Sequence, residues 1–218
     1  MLQRRRFAPA PILLLAVLAA LAAPRPALSN GGAWAVCARA TAAAEELRSD
    51  LPAHLLSAVA AVESGRWHKG RQATIAWPWT VTAEGEGRFL PSKAAAIEAV
   101  ERLQARGIAN IDVGCMQVNL HYHGDAFESL SSAFDPAANV AYAAEFLLDL
   151  RRERGSWTRA IGDYHSQTPR YSGPYRLKVF RAWRKAKKAA YAEQRRERQA
   201  KALFAQDLSG YLRDDRLL

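Results

Sequence analysis

Leu56, Val59, Ala60 and Glu63 follow the i, i+3, i+4, i+7 spacing of one helix face, so a carboxylate points where apolar side chains point. Ser64 and Gly65 come next, and glycine commonly ends a helix, which puts Glu63 in a last turn. There the negative end of the helix dipole and the apolar neighbours both disfavour the charged carboxylate, and its pKa is expected to rise. A carboxyl group that keeps its proton near neutral pH is suited to general acid work, such as protonating a glycosidic oxygen. The same window also fits a solvated helix-end glutamate, or one paired with Arg66. The local pattern does not choose between them.

Cys37 and Cys115 are the other residues with chemistry of their own. Two cysteines permit one intramolecular disulfide. Two buried thiols are an alternative, as is a Cys-His zinc site using the H-x-H pair His121 and His123, although no third and fourth ligand follow at zinc-site spacing. The start of the chain bears on this choice. Residues 1–29 read as a secretory signal peptide: three arginines, an apolar run from Ile12 to Ala23, then small residues, with cleavage after Ala23 or Ser29. The run is short for a membrane span, and no later segment approaches one. Export to the periplasm is the expectation, and an oxidising compartment favours the disulfide.

Charge divides the chain. The 218 residues carry 31 Lys and Arg against 21 Asp and Glu; Pro24 to Tyr175 holds 15 against 16, and Arg176 to Leu218 holds 13 against 5. A near-neutral body at 30–183 and a basic tail at 184–218 follow, as one domain with an extension. A uniformly basic body would suit nucleic acid; this distribution does not. An acidic wall polymer, an anionic membrane face or a protein partner suits the tail better.

Mostly helical elements must position these groups. Helices are expected over 34–48 and 52–63, the second starting at Asp50 and Pro52. The segment 74–90 alternates Trp77, Trp79 and Val81 on one side and turns through Glu-Gly-Glu-Gly, which predicts a β-hairpin with Pro78 confining its strand to an edge. Ser92 caps a helix ended by Gly107. An irregular loop with a short helix is expected over 107–124. Asp135 and Pro136 start a long helix that Gly155 stops; Ser156 begins another. A last helix is expected from about Tyr175, docking through Leu177, Phe180 and Trp183 before its charged end.

Four segments, taken in order, resemble the motifs of lytic transglycosylases with the soluble-transglycosylase type of lysozyme-like domain: VESG at 62–65, GCMQVN at 114–119, AYAAEFL at 141–147 and AIGDYHS at 160–166. The resemblance covers roughly 34–183. It implies an all-α, lysozyme-like fold, α+β in detail, that cleaves the β-1,4 bond between N-acetylmuramic acid and N-acetylglucosamine in peptidoglycan. Glu63 is then the acid and base. Ser64, Gln117, Asn119, Tyr142, Tyr164 and His165 fall at substrate-binding positions. Structural roles compete for several: helix-end capping for Ser64, a satisfied loop amide for Gln117, core packing for the tyrosines. His165 departs from the family pattern, which has Asn there. A bond between Cys37 and Cys115 would pin the motif loop to the first helix. The hairpin and the following helix look like an insertion beside the cleft.

A two-carboxylate glycosidase needs a second Asp or Glu across the scissile bond. Asp112 and Asp125 lie near the motif loop, but no motif singles either out. The resemblance implies instead a non-hydrolytic cleavage through Glu63 alone that leaves 1,6-anhydro ends, with no metal or cofactor. A lysozyme-type hydrolase and a non-catalytic wall-binding assembly factor are the competing expectations. Enzymes of this type serve flagella, secretion or conjugation machines, and such a machine is a candidate partner for the tail.

Overall fold

A computed structural model of the chain describes residues 30–214, so the expected signal peptide lies outside the described residues. The architecture is mainly helical with two small antiparallel sheets. A one-turn helix α1 (Asn30–Ala33) precedes α2 (Val36–Glu46) and α3 (Leu55–Glu63). α3 starts three residues later than Pro52 and lacks a cap of its own; His54 takes a left-handed φ of 67°. Glu45 of α2 reaches across instead, its carboxylate accepting from the backbone N–H of His54 and of Leu56 at 2.7 Å each. That places a negative group at the positive end of α3, which anchors the helix whose other end carries Glu63.

Strand β1 (Gly65–His68) follows directly and pairs with β2 (Ala73–Ala76), Gly65 facing Ala76. β3 (Thr80–Ala83) pairs with β4 (Glu86–Phe89), and after α4 (Lys93–Ala105) the strands β5 (Ile111–Val113) and β6 (Val118–Asn119) extend this sheet in the order β4-β3-β5-β6. The expected hairpin is thus real only from Thr80 onward. Trp77, Pro78 and Trp79 form the connection between two sheets, and β3 is an inner strand; Pro78 spares the ladder because it lies outside it. The 107–124 segment is likewise stranded where a short helix is expected, and the short helix, α5 (Leu130–Ala133), comes after it.

α6 (Pro136–Arg154) and α7 (Trp157–His165) have the ends their sequence implies. Asp135 and Ser156 accept from the N–H of Ala138 and Arg159, and Gly155 closes α6 at a φ of 68°. α8 (Pro169–Asp214) begins six residues before Tyr175 and is one continuous helix of 46 residues, about 69 Å long at 1.5 Å per residue. Its docked face is Tyr175, Val179, Phe180, Ala182 and Trp183; Leu177, expected to dock, is exposed. One apolar core joins α2, α3, α6, α7 and the start of α8, while a second joins α4 and α5 to β3 and β5. No described helix is long and apolar enough to cross a membrane.

Candidate active site

A cleft of about 760 Å³ runs between the four-stranded sheet and the α6–α7 pair, with Glu63 at the end of α3 in its wall. Glu63 is half-buried, and Arg66 does not pair with it: that guanidinium lies over the rings of Trp34, Trp77 and Phe89 at 5.0 to 5.8 Å. The partner of Glu63 is Tyr175, whose hydroxyl donates to Oε1 at 2.5 Å. Burial pushes the Glu63 carboxyl from 4.5 up to about 8; the Tyr175 hydrogen bond opposes this, nearby Asp112 adds to it, and Lys178 opposes it. At neutral pH the group is therefore protonated for most of the time.

The loop joining β5 to β6 is held against Glu63 from several directions. Ser64, fully buried, donates from Oγ to Cys115 O at 2.7 Å and lies 3.2 Å from Ala60 O, so it ties the end of α3 to the loop. This corrects the expected sugar contact: Ser64 does not line the cleft. Cys115 is disulfide-bonded to Cys37 of α2, as the sequence favours. Asn139 of α6 is buried with its amide fully used, accepting from Met116 N and donating to Val113 O and Ala133 O. Gly114 has a φ of +84°, and a Cβ there would sit 2.4 Å from the Asn139 amide, so both conformation and space demand glycine. Met116 and Val118 pack inward.

Gln117 and Asn119 both line the cleft, but their amides are engaged within the protein. Gln117 adopts a φ of 49°, donates from Nε2 to Thr80 O and Gly114 O, and accepts from Thr82 Oγ1 at 2.5 Å. Asn119 donates to Asn110 Oδ1 and Asp112 Oδ1 while its own Oδ1 accepts from the N–H of His121 and Tyr122. Their first role here is to shape the wall.

Tyr142 and Tyr164 line the same cleft. Tyr142 shares a 2.8 Å hydrogen bond with His123 Nδ1, and the Tyr164 hydroxyl donates to Met116 O at 2.8 Å, which makes it a further strut for the loop. Burial raises both phenol pKa values, that of Tyr164 well above the ordinary range. His165 stacks flat on Tyr175 at 4.6 Å; burial lowers its pKa, Asp112 opposes that, and Lys178 adds to it. Trp77 is buried, with its indole N–H on Leu90 O, and Trp79 packs on the second core, so neither belongs to the cleft.

Sequence reasoning passed over two groups here, Tyr175 and Asn139, and left a third, Asp112, without a role. Tyr175 lies 112 residues from Glu63 along the chain, and no local signal joins them. Asp112 lines the cleft beside Asn119, its pKa raised by burial, whereas Asp125 does not line it. The position of Asp112 two residues before Gly114 was the available signal. Asn139 has only the helix-start position after Asp135 to mark it.

The arrangement is a polar and aromatic cleft with a carboxyl of raised pKa in its wall. Comparison with family models, with curated proteins and with solved structures returned no match.

Proposed function

We propose that this chain is an exported peptidoglycan lytic transglycosylase with a lysozyme-like fold. The observation that carries the reading is Glu63, a carboxyl held at a pKa of about 8 in the wall of an open polar cleft. The four motif segments support it: Glu63 is in the first, and residues of the other three line or brace the same cleft.

Tyr175 occupies Oε1, so Oε2 is left to carry the transferable proton. Glu63 gives that proton to the oxygen linking muramic acid C1 to the next sugar, and the C1–O bond breaks. The substrate's own N-acetyl oxygen stabilises the cationic centre. The Glu63 carboxylate then removes the proton from the C6 hydroxyl, whose oxygen bonds to C1 and closes a 1,6-anhydro ring. The acid is regenerated and no water is consumed.

Asp112 favours a second reading, a lysozyme-type hydrolase, because it supplies a second carboxyl in the same cleft. Against it, Asp112 Oδ1 is occupied by Asn119, and none of the four motif segments contains Asp112. Mass spectrometry of products from purified peptidoglycan separates the two. Muropeptides lighter by one water than lysozyme products are expected, and Glu63→Gln should release none while still binding glycan. Reducing-end products would move the assignment to the hydrolase; undiminished cleavage by Glu63→Gln would end both.

A further inference from the structure

Glu63 borders two cavities of opposite electrostatic character. Among the residues lining the main cleft, the ionisable groups are carboxyls, imidazoles and phenols, with no Lys or Arg. A second cavity of about 370 Å³ adjoins it across the start of α8, sharing Glu63 and His165 and walled by Arg170, Tyr171, Tyr175 and Lys178. His165, stacked flat on Tyr175, lines both cavities beside the acid, while Tyr175 lines the second.

Among the described residues, Arg170 donates to the Tyr171 hydroxyl and lies over its ring, and neither Arg170 nor Lys178 has an acidic partner within ion-pair distance. Lys178 also acts on the carboxyl of Glu63 and the ring of His165, so its field reaches the centre of the site. A carboxylate on a bound ligand is repelled by Asp112 on one side of Glu63 and attracted on the other.

We propose that the second cavity is a carboxylate-recognising subsite, in which Arg170 and Lys178 hold the acidic substituent of the sugar beside the scissile bond. The inference rests on reading the cleft as a glycan site and adds which substituent it selects. In peptidoglycan that carboxylate has two sources: the lactyl group of muramic acid itself, or the peptide joined to it.

Binding of short strands to Glu63→Gln, which cannot turn them over, tests this by calorimetry. Three ligands are compared: strands with peptides intact, strands with peptides removed to free the lactyl carboxylate, and the stripped strands with that carboxylate amidated. The amidated strands should bind about fivefold more weakly than at least one acidic form, as two partly exposed charge contacts imply, and the stronger acidic form identifies the source. Adding Arg170→Gln and Lys178→Gln should abolish the difference. Adding Lys187→Gln and Lys188→Gln, which removes equal charge from α8 beyond the cleft, should preserve it. Equal binding of all three strands, or a preference that survives loss of Arg170 and Lys178, would overturn the subsite while leaving the glycan site intact. No binding of any strand would overturn the glycan reading and the subsite together.

Discussion

At the scale of single residues, Glu63 carries a pH dependence whose direction is fixed. Its carboxyl holds a proton in the folded protein up to about pH 8 but only to about 4.5 when unfolded, so between these values the folded state binds more protons and stability falls as pH rises. Glu63→Gln removes that penalty. The variant should match the wild type near pH 4 and exceed it increasingly toward pH 8, by an amount on the order of 4 kcal/mol, read from urea unfolding at each pH. Cleavage by the wild type should run the other way, with kcat/KM falling above about pH 8 as the acid is lost. A stability gap independent of pH would show that Glu63 is solvated. The local apolar stripe marked this glutamate, and the ordered motif segments, not the stripe alone, singled it out. Tyr175 was not legible, and Asp112 was seen only as one of two carboxyls near the motif loop, because folding alone brings them to Glu63.

At the scale of elements, the β5–β6 loop is where the fold and the site meet. Its backbone is tied to α3 through Ser64, to α6 through Asn139, to α7 through Tyr164 and to α2 through the disulfide. The helices were legible because caps such as Ser92, Asp135 and Ser156 act within one turn of themselves. β5 and β6 were not, since strands of three and two residues carry no alternation and exist by these distant ties. The same reason hid β1 and β2, which pair four residues each across the turn at 69–72. Two variants test the loop as a unit. Cys37→Ser with Cys115→Ser frees a 78-residue separation and should cost about 2 to 4 kcal/mol. Gly114→Ala should cost a similar ~2 to 4 kcal/mol, because it strains the backbone and displaces the buried Asn139 amide. Both should lower cleavage beyond what unfolding explains, measured at a temperature where each variant is fully folded. Full specific activity in the folded fraction would show that loop position is irrelevant to Glu63.

At the scale of the whole molecule, α8 belongs to both halves of the charge division. Its first turns complete the acid site and the core, ending with the Trp183 indole N–H on Ala53 O at 2.8 Å. From Arg184 to Gln206 the helix is almost entirely exposed, with Arg184, Lys185, Lys187, Lys188, Arg195, Arg196, Arg198 and Lys201 against Glu193 and Glu197. A helix polar on most faces buries too little to be there for packing, and its charge gives it an affinity for polyanions that salt screens. Truncation after Ala190 should therefore remove helical signal in circular dichroism while moving the unfolding midpoint by less than about 2 °C, since among the described residues the α8 side chains packed on the apolar core lie before the cut. Retention on sacculi should fall, with the largest deficit at low ionic strength and none at high. Turnover of short soluble strands should be retained, because Tyr175 and Lys178 stay in place. If the shortened protein is retained on sacculi as well as the full chain at every salt concentration, the wall is not what the basic helix meets, and protein partners captured by the full chain but not by the truncated one become the alternative to pursue.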